Sequence, residues 1–360
     1  MLVVLKRAGR AESLHRGAIA VAAADRLLFS AGDVETPIFP RSALKPFQAL
    51  PLLEDELDRK LGLDAKEIAL TAASHGGDER HVEAAASLLA KGGIPSSALR
   101  CGTHAPMDEA AARRLARDGR EPTVLHHNCS GKHAGMLIQA KHAAAPLQGY
   151  VEPGHPVQQR IRRRIAEFAG VAPDSLGSAV DGCSAPAFAL SLSNLARALA
   201  RFADPVGLAP PIAAACRRLF DAATAEPHFL SGRRRFDLAV MKAGGRRVLC
   251  KIGAEGVVAL ALRPPRTELP ALGIAIKVDD GNARGYYLPA LAILRWLGVE
   301  PPAAPDEISS AVDAVQRNHR GVEVGVAELG DALAALPPSP WPSSPSSPSS
   351  PLSPLSPLSM

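Results

Sequence analysis

The order of the apolar segments along the chain constrains the fold more than any other feature. Short apolar runs of the kind typical of β-strands occur near the start, at residues 2–5, 18–23 and 27–30. Runs of the same type return late in the chain, at residues 247–252, 257–262 and 273–278. The order predicts an α+β domain in which a sheet joins N- and C-terminal strands around inserted helices. We expect the first three runs to form one meander.

The middle of the chain changes to a helical period. One helix is predicted from Glu79 to a stop at Gly92, and another over residues 155–168 with Gly170 after it. The strongest amphipathic pattern is spaced 4, 3, 4, 3, as expected for a helix packed on the core, and comprises Phe188, Leu192, Leu195, Leu199 and Phe202.

The last 24 residues, 337–360, contain 9 Pro and 10 Ser. Such a segment cannot bury enough apolar surface to offset the entropy of ordering it. We therefore expect a single domain over residues 1–336 and a disordered tail over residues 337–360.

Composition excludes several classes of function. A net charge of +5 and an aromatic content of 4% argue against a nucleic-acid partner. No apolar run approaches the roughly 18 residues of a membrane span, and the start is too short for a secretory signal. The five cysteines are odd in number and contain no CxxC, which argues against a disulfide framework. These features predict a cytoplasmic protein without a membrane partner.

Ser42 and Lys45 form an S-x-x-K motif ahead of an apolar stretch. At a helix start, residues three apart lie on one face. A lysine ammonium there can stabilise a serinate, whereas a desolvated neutral lysine can take the serine proton. The alternative is a helix-capping serine beside a surface lysine.

Three further segments carry reactive side chains. Ser74 precedes Gly76 and Gly77, which would let a ligand approach the backbone closely, although on this motif alone a turn with a helix cap is the better explanation. Residues 126–136 are dense in His, Cys and Lys, a composition that indicates a site. Lys251 precedes Gly253 between two predicted strands. This Lys-x-Gly pattern is similar to the K-T-G motif of serine acyltransferases, except that Ile252 replaces the hydroxyl residue.

Asp181 and Cys183 lie in a loop before the predicted helix that has the strongest amphipathic pattern. A thiol beside a carboxylate can be a metal ligand with an acidic neighbour. The alternative is a capped loop with a buried thiol.

Several motifs occur together in a fixed order. RSALKPFQ at residues 41–48 and NCSGKHAGML at residues 128–137 are the most specific. The others lie at residues 12–17, 74–77, 155–158, 181–183, 251–257 and 277–281. Over about residues 3–299 the chain closely resembles the rhizobial-type (class 3, asparaginase II) L-asparaginase family.

The resemblance implies the fold of serine β-lactamases and penicillin-binding proteins. It implies a homodimer that hydrolyses L-asparagine to L-aspartate and ammonia. Two Ser–Lys pairs would form the catalytic centre, Ser42 with Lys45 and Ser74 with Lys251.

The resemblance also implies a zinc ion near the substrate. Because a Ser–Lys centre already supplies a nucleophile and a base, we expect the ion to affect substrate affinity rather than chemistry. Its ligands would be Cys129, Lys132 and Cys183. The substrate-binding residues would be Asp181, Arg41 and His133.

Two alternatives remain open from the sequence. One is another cytoplasmic serine amidohydrolase, either a glutaminase or a β-lactamase-like enzyme; the missing S-D-N and K-T-G motifs argue against the cell-wall enzymes. The other is a non-catalytic amino-acid-binding regulatory protein. Retention of both serines and both lysines argues against that second class.

Overall fold

A computed structural model describes residues 1–300 and 314–341 of the chain. Within these residues the strands are β1 (Val3–Arg7), β2 (Arg10–His15), β3 (Gly17–Ala22), β4 (Leu27–Ala31), β5 (Gly177–Val180), β6 (Pro186–Ala189), β7 (Val248–Gly253), β8 (Val257–Leu262), β9 (Leu272–Val278), β10 (Val315–Arg317) and β11 (Glu323–Leu329). The helices are α1 (Lys45–Glu54), α2 (Leu57–Lys60), α3 (Ala65–Thr71), α4 (Glu79–Lys91), α5 (Glu109–Arg117), α6 (Ser130–His142), α7 (Pro156–Ala169), α8 (Leu192–Ala203), α9 (Pro210–Ala225), α10 (Pro227–Leu230), α11 (Phe236–Gly244) and α12 (Arg284–Trp296).

The α+β prediction is confirmed, but the strands form two large sheets instead of one. A five-stranded sheet has the order β4-β3-β9-β8-β7, and a four-stranded sheet has the order β10-β11-β1-β2. Each sheet joins N-terminal to C-terminal strands through antiparallel pairs, β3 with β9 and β1 with β11. The expectation of a single N-terminal meander is therefore wrong. The chain passes from β2 in one sheet to β3 in the other across Arg16.

The helical middle agrees with the sequence pattern where capping signals are present. Helix α4 begins after Asp78, whose side chain accepts a hydrogen bond from His81 N, and it ends at Gly92. Helix α7 ends at Gly170, whose φ of 69° is left-handed. Helix α8 begins after Ser191, so Phe188 is not its first apolar residue as predicted. Phe188 belongs instead to the short strand β6.

Two glycines allow helices to pack closely in the core. A Cβ at Gly273 in β9 would lie 1.9 Å from Ala196 O in α8, so this helix contacts the sheet backbone directly. A Cβ at Gly131 in α6 would lie 2.5 Å from Leu70 O in α3. Helix α6 is consequently buried around its circumference from Ser130 to Ala140. Its first turn, which carries Cys129 and Lys132, is held inside the molecule.

The start of the Pro/Ser-rich segment is folded. The indole of Trp296 donates a hydrogen bond to Pro337 O at 2.8 Å. Trp341 is 2% exposed and donates to Pro270 O at 2.9 Å. The predicted tail boundary at Pro337 is therefore too early, because a tryptophan surrounded by prolines can still bury its ring. The remainder of the predicted tail lies outside the described residues.

We predict that Trp341→Ala lowers the free energy of unfolding by about 3 kcal/mol, because it leaves a ring-sized cavity and orphans Pro270 O. Thermal melting of the purified chain measures the effect. A chain ending after Trp341 is the matched control and should melt like the full chain. Equal melting of the full chain and the alanine variant would contradict a stabilising role for this residue.

Candidate active site

A cleft of about 410 Å³ opens beside β7, the edge strand of the five-stranded sheet. Both predicted serines, Ser42 and Ser74, line it. Asn128 lines it as well, and the end of β7 contributes Ile252 and Gly253. The cleft therefore brings together segments that are far apart in the sequence.

Ser42 lies in a 3₁₀ turn, Arg41–Leu44, that leads into α1. Arg41 has a φ of 54°, which is uncommon for a residue with a side chain and strains the backbone beside the serine. A Cβ at Gly253 would lie 2.3 Å from Pro40 O, so the turn sits directly against the end of β7. Ser42 is half-buried and faces the cleft.

Lys45 is the central contact of the site. Its side chain is buried, and Nζ donates to Ala73 O at 2.7 Å, to Ser74 Oγ at 2.8 Å and to Cys129 Sγ at 3.0 Å. The hydrogen bond of Lys45 is thus with Ser74, whereas the sequence resemblance paired it with Ser42. Three acceptors match the three donors of an ammonium group.

Lys251 lies on β7 and is completely buried. Burial disfavours the charged form and lowers the pKa of Lys251 to about 7, with Asp237 opposing the shift and Lys45 adding to it. Its Nζ donates to Ile252 O at 3.2 Å and lies 4.0 Å from Asp237 Oδ2. In the described part of the chain no hydrogen bond joins Lys251 to Ser74, so the second predicted pair is not in direct contact.

The sequence analysis missed Asp237. Its carboxylate is fully buried in the first turn of α11 and accepts a hydrogen bond from the Ser231 hydroxyl. Arg235, from the Arg233–Arg235 run, is 19% exposed, donates to Ser231 Oγ at 3.1 Å and lines the cleft. No motif marks an acid of this kind. Only the fold brings it next to Lys251.

The predicted metal ligands come together on the other side of Lys45. Lys132 Nζ donates to Cys183 Sγ at 3.0 Å, and Lys45 Nζ contacts Cys129 Sγ. A hydrogen bond with Cys183, with the nearby Lys45 and Lys132, lowers the pKa of the Cys129 thiol well below its usual value against the effect of burial. Burial disfavours the Lys132 ammonium, but the two sulfurs raise the pKa of Lys132. The pattern is that of a thiolate held between ammonium groups.

The predicted substrate-binding residues border the same cluster. Arg41 Nε donates to Asp181 Oδ1 at 2.8 Å, and Asp181 Oδ2 lies 4.0 Å from Cys183 Sγ. Burial opposes ionisation, but Lys132 and Arg41 lower the pKa of Asp181. His133 is fully buried. Burial lowers the pKa of His133 to about 4, so its ring is neutral where it contacts the Tyr150 hydroxyl at 2.7 Å.

The arrangement is one continuous polar network from the cleft into the core. It runs from Ser74 through Lys45 to Cys129, and through Cys183 to Lys132 and Asp181. Such a network can hold a nucleophile, store a proton and bind a soft cation.

Among the described residues, none of the helices combines the length and the apolar character that a membrane span requires.

Comparison with solved structures gives distant matches. A structure of Mglu in its native form in 4.3 M NaCl matches at 16% identity and a TM-score of 0.43, over 84% of this chain and 64% of that one. The Bacillus subtilis glutaminase YbgJ, in a covalent complex with 5-oxo-L-norleucine, matches at 13% identity and a TM-score of 0.38. This match covers 81% of this chain and 90% of the glutaminase. A β-lactamase from Burkholderia ambifaria matches at 15% identity and a TM-score of 0.36. This match covers 75% of this chain and 87% of the β-lactamase.

The chain spans about two thirds of the length of Mglu. No curated protein matches. The family model described as L-asparaginase II matches residues 3–329, which include both large sheets, the cleft and the lysine network. The chain therefore belongs to the L-asparaginase II family.

Proposed function

We propose that this amidohydrolase converts L-asparagine to L-aspartate and ammonia through an aspartyl ester on a serine. The observation that carries the proposal is the cleft in which Ser42 and Ser74 lie in front of two buried lysines, in a member of the L-asparaginase II family. An unactivated amide needs a nucleophile, a base, an acid for the leaving ammonia and an oxyanion site. The residues around the cleft can supply all four.

Ser42 is our proposed nucleophile. It is half-buried at the cleft wall, whereas Ser74 is 4% exposed. The turn that carries Ser42 lies against β7, and every second backbone N–H of an edge strand points away from its partner strand. Amides of this kind near Gly253 can donate to the oxygen that becomes negative when Ser42 attacks the side-chain carbonyl.

The two lysines take different roles in the proposal. With a pKa of about 7, Lys251 is neutral in a large fraction of molecules at neutral pH and can accept a proton. Lys45 uses its three donors on neighbouring acceptors and acts as an ammonium that orients Ser74. The Ser42 proton moves to Lys251, which later delivers it to the leaving ammonia. Water then hydrolyses the ester and regenerates Ser42.

Substrate specificity tests the function itself. We predict ammonia release from L-asparagine with a kcat/KM about 10²-fold above that for L-glutamine, because one extra methylene shifts the amide away from the nucleophile. Asparagine, glutamine and β-aspartyl peptides are compared in a coupled ammonia assay. Equal kcat/KM for the two amides would refute the preference, and no release from any substrate would refute the hydrolase.

We predict that Ser42→Ala and Lys251→Met each lower kcat about 10³-fold, because members of one nucleophile–base unit fail together. The double variant should be little worse than either single variant, and strictly additive losses would show two independent roles. Ser178→Ala, at an exposed serine of β5, is the control and should keep full activity. A diazoketone analogue of asparagine, which alkylates the nucleophile with loss of N2, followed by mass spectrometry identifies the nucleophilic serine. An adduct on Ser74 would reverse the roles proposed for the two serines.

The pH profile tests the base. We expect kcat to rise with pH through about 7 as Lys251 loses its proton. Asp237 raises the pKa of Lys251, so Asp237→Asn should move this rise to lower pH. Circular dichroism checks that the variant is folded. A rise that stays in place, or moves to higher pH, would show that a different group titrates.

We call Cys129, Lys132 and Cys183 the cysteine cluster. The donor chemistry of this cluster fits the proposed zinc ion. Two sulfurs, one of them with a strongly lowered pKa, suit a soft cation, and Lys132 would have to release a proton to join Cys129 and Cys183 as a ligand. When bound, zinc would supply charge near the substrate's α-groups. Arg41 and Asp181 border the cluster and would orient those groups, as we propose also for His133.

We predict that Cys183→Ser raises the KM for asparagine about tenfold and leaves kcat within a few-fold of the unmodified enzyme. Binding shared by the ground and transition states affects KM more than kcat. Cys216→Ala, a buried thiol of α9, is the control. Loss of kcat at unchanged KM, or no zinc in protein purified without chelator, would rule out this role for the metal.

The assembly and the location proposed here rest on the resemblance and on composition. A cytoplasmic homodimer is the expected form of the protein. Light scattering of the full chain tests the dimer, and a monomer at assay concentration would exclude it.

A further inference from the structure

A second polar cluster lies behind the Ser74 loop and has no part in the proposed chemistry. It consists of Asp78, His81 and His228, whose ligand-type atoms lie within 4.8 Å of one another. Asp78 Oδ1 is 2.8 Å from His81 Nδ1, and Asp78 Oδ2 is 3.0 Å from His228 Nε2. Asp78 and His81 are buried, and the His228 side chain is 14% exposed. We call these three residues the Asp-His-His cluster.

The hydrogen bonds of His81 leave a lone pair pointing into the cluster. Its Nε2 lies 2.9 Å from His228 O, a carbonyl that can only accept, so Nε2 carries the proton. In the neutral ring Nδ1 is then unprotonated. This fully buried atom makes no aligned hydrogen bond within the described residues, although it faces the Asp78 carboxylate.

His228 also directs a ring nitrogen at the Asp78 carboxylate. Its Nε2 lies 2.9 Å from an Arg80 guanidinium nitrogen, which can only donate, so Nε2 is the acceptor of that contact. The same nitrogen faces Asp78 Oδ2. Two imidazole nitrogens and one carboxylate therefore converge on one volume. Within the described residues His81 Nδ1 has no aligned hydrogen bond there, and His228 Nε2 accepts from Arg80.

Protonation of both the His81 and the His228 ring is electrostatically unfavourable. The His81 and His228 rings stack with centroids 4.5 Å apart, and the Arg80 guanidinium lies beside them. Two stacked imidazolium ions next to a guanidinium would repel each other in a largely buried site. His75 stacks on His81 at 4.9 Å but both its ring nitrogens are occupied, one by Gly77 N and one by Ser130 Oγ.

We propose that the Asp-His-His cluster binds a divalent transition-metal cation of the zinc class. Two imidazole nitrogens and one carboxylate oxygen are a common three-residue zinc donor set, which leaves the fourth position for water. Arg80 is exposed and can move away when the cation enters. The site has no sulfur ligand, which distinguishes it from the cysteine cluster.

The site would stabilise the loop that carries Ser74. Asp78 ends that loop, four residues after Ser74. On the other side, Ser74 N donates to Leu230 O at 3.1 Å, and Leu230 follows His228 by two residues in α10. A cation bound to both Asp78 and His228 would connect the two segments that hold the serine backbone.

Cobalt(II) substitution tests the site independently of activity. Metal-free full-length protein is titrated with CoCl₂ alone and followed by its absorption spectrum. Beyond any sulfur-bound cobalt, we expect one further equivalent with visible d–d bands that adds no sulfur-to-cobalt charge transfer, and a melting temperature several degrees higher with cobalt. His228→Gln should lose this equivalent and its thermal shift, while any sulfur-bound cobalt remains. His142→Gln, at an exposed histidine of α6, should lose neither.

Three results would overturn the proposal. One is an unmodified chain that takes up no cobalt beyond a sulfur-bound equivalent, and this result needs no variant to fold. The second is His228→Gln retaining the full cobalt uptake. The third is a cobalt spectrum without histidine ligation, in which case the cluster holds protons only. The proposed asparaginase activity can fail or succeed without changing any of these outcomes.

Discussion

The site depends on the burial of one ammonium group. Lys45 is 1% exposed, and a buried cation is tolerated only where it is fully paired. Its three acceptors come from the loop after α3 and from the N-terminus of α6, while the lysine itself begins α1. Three segments must therefore meet at one nitrogen atom. The close approach of α6 to α3 at Gly131 is what brings Cys129 within reach.

The second constraint is the position of β7 at the edge of the sheet. An edge strand offers unpaired backbone groups, which proteins usually cover. Here the turn that carries Ser42 and the N-terminal part of α11 lie against the edge, and the space between them is the cleft. Lys251 points from the same strand into the core, next to Asp237. One strand thus contributes both backbone donors to the cleft and a titratable side chain behind it.

Local patterns predicted what is local. Helices α4 and α7 carry their own caps and stops, and the inner strands are continuously apolar. Strand β2 has almost no buried face, so no apolar alternation marks it, and the split into two sheets was not visible. Motifs identified the reactive residues, but the partner of Lys45 depends on where its side chain points across the core. Asp237 and Trp341 were missed because neither belongs to a motif, and the composition of the tail obscured a single tryptophan.

The pairing of the two ends of the chain has a consequence for synthesis on the ribosome. Strand β3 pairs with β9, and β1 pairs with β11, so the two earlier strands emerge from the ribosome long before the partners with which they pair. Contacts between distant residues make folding slow, because a long loop must close before they form. During that interval the apolar edge of β3 is exposed to other chains. The nascent polypeptide therefore needs protection, by chaperones or by early collapse of the helical middle, until β9 and β11 have been synthesised.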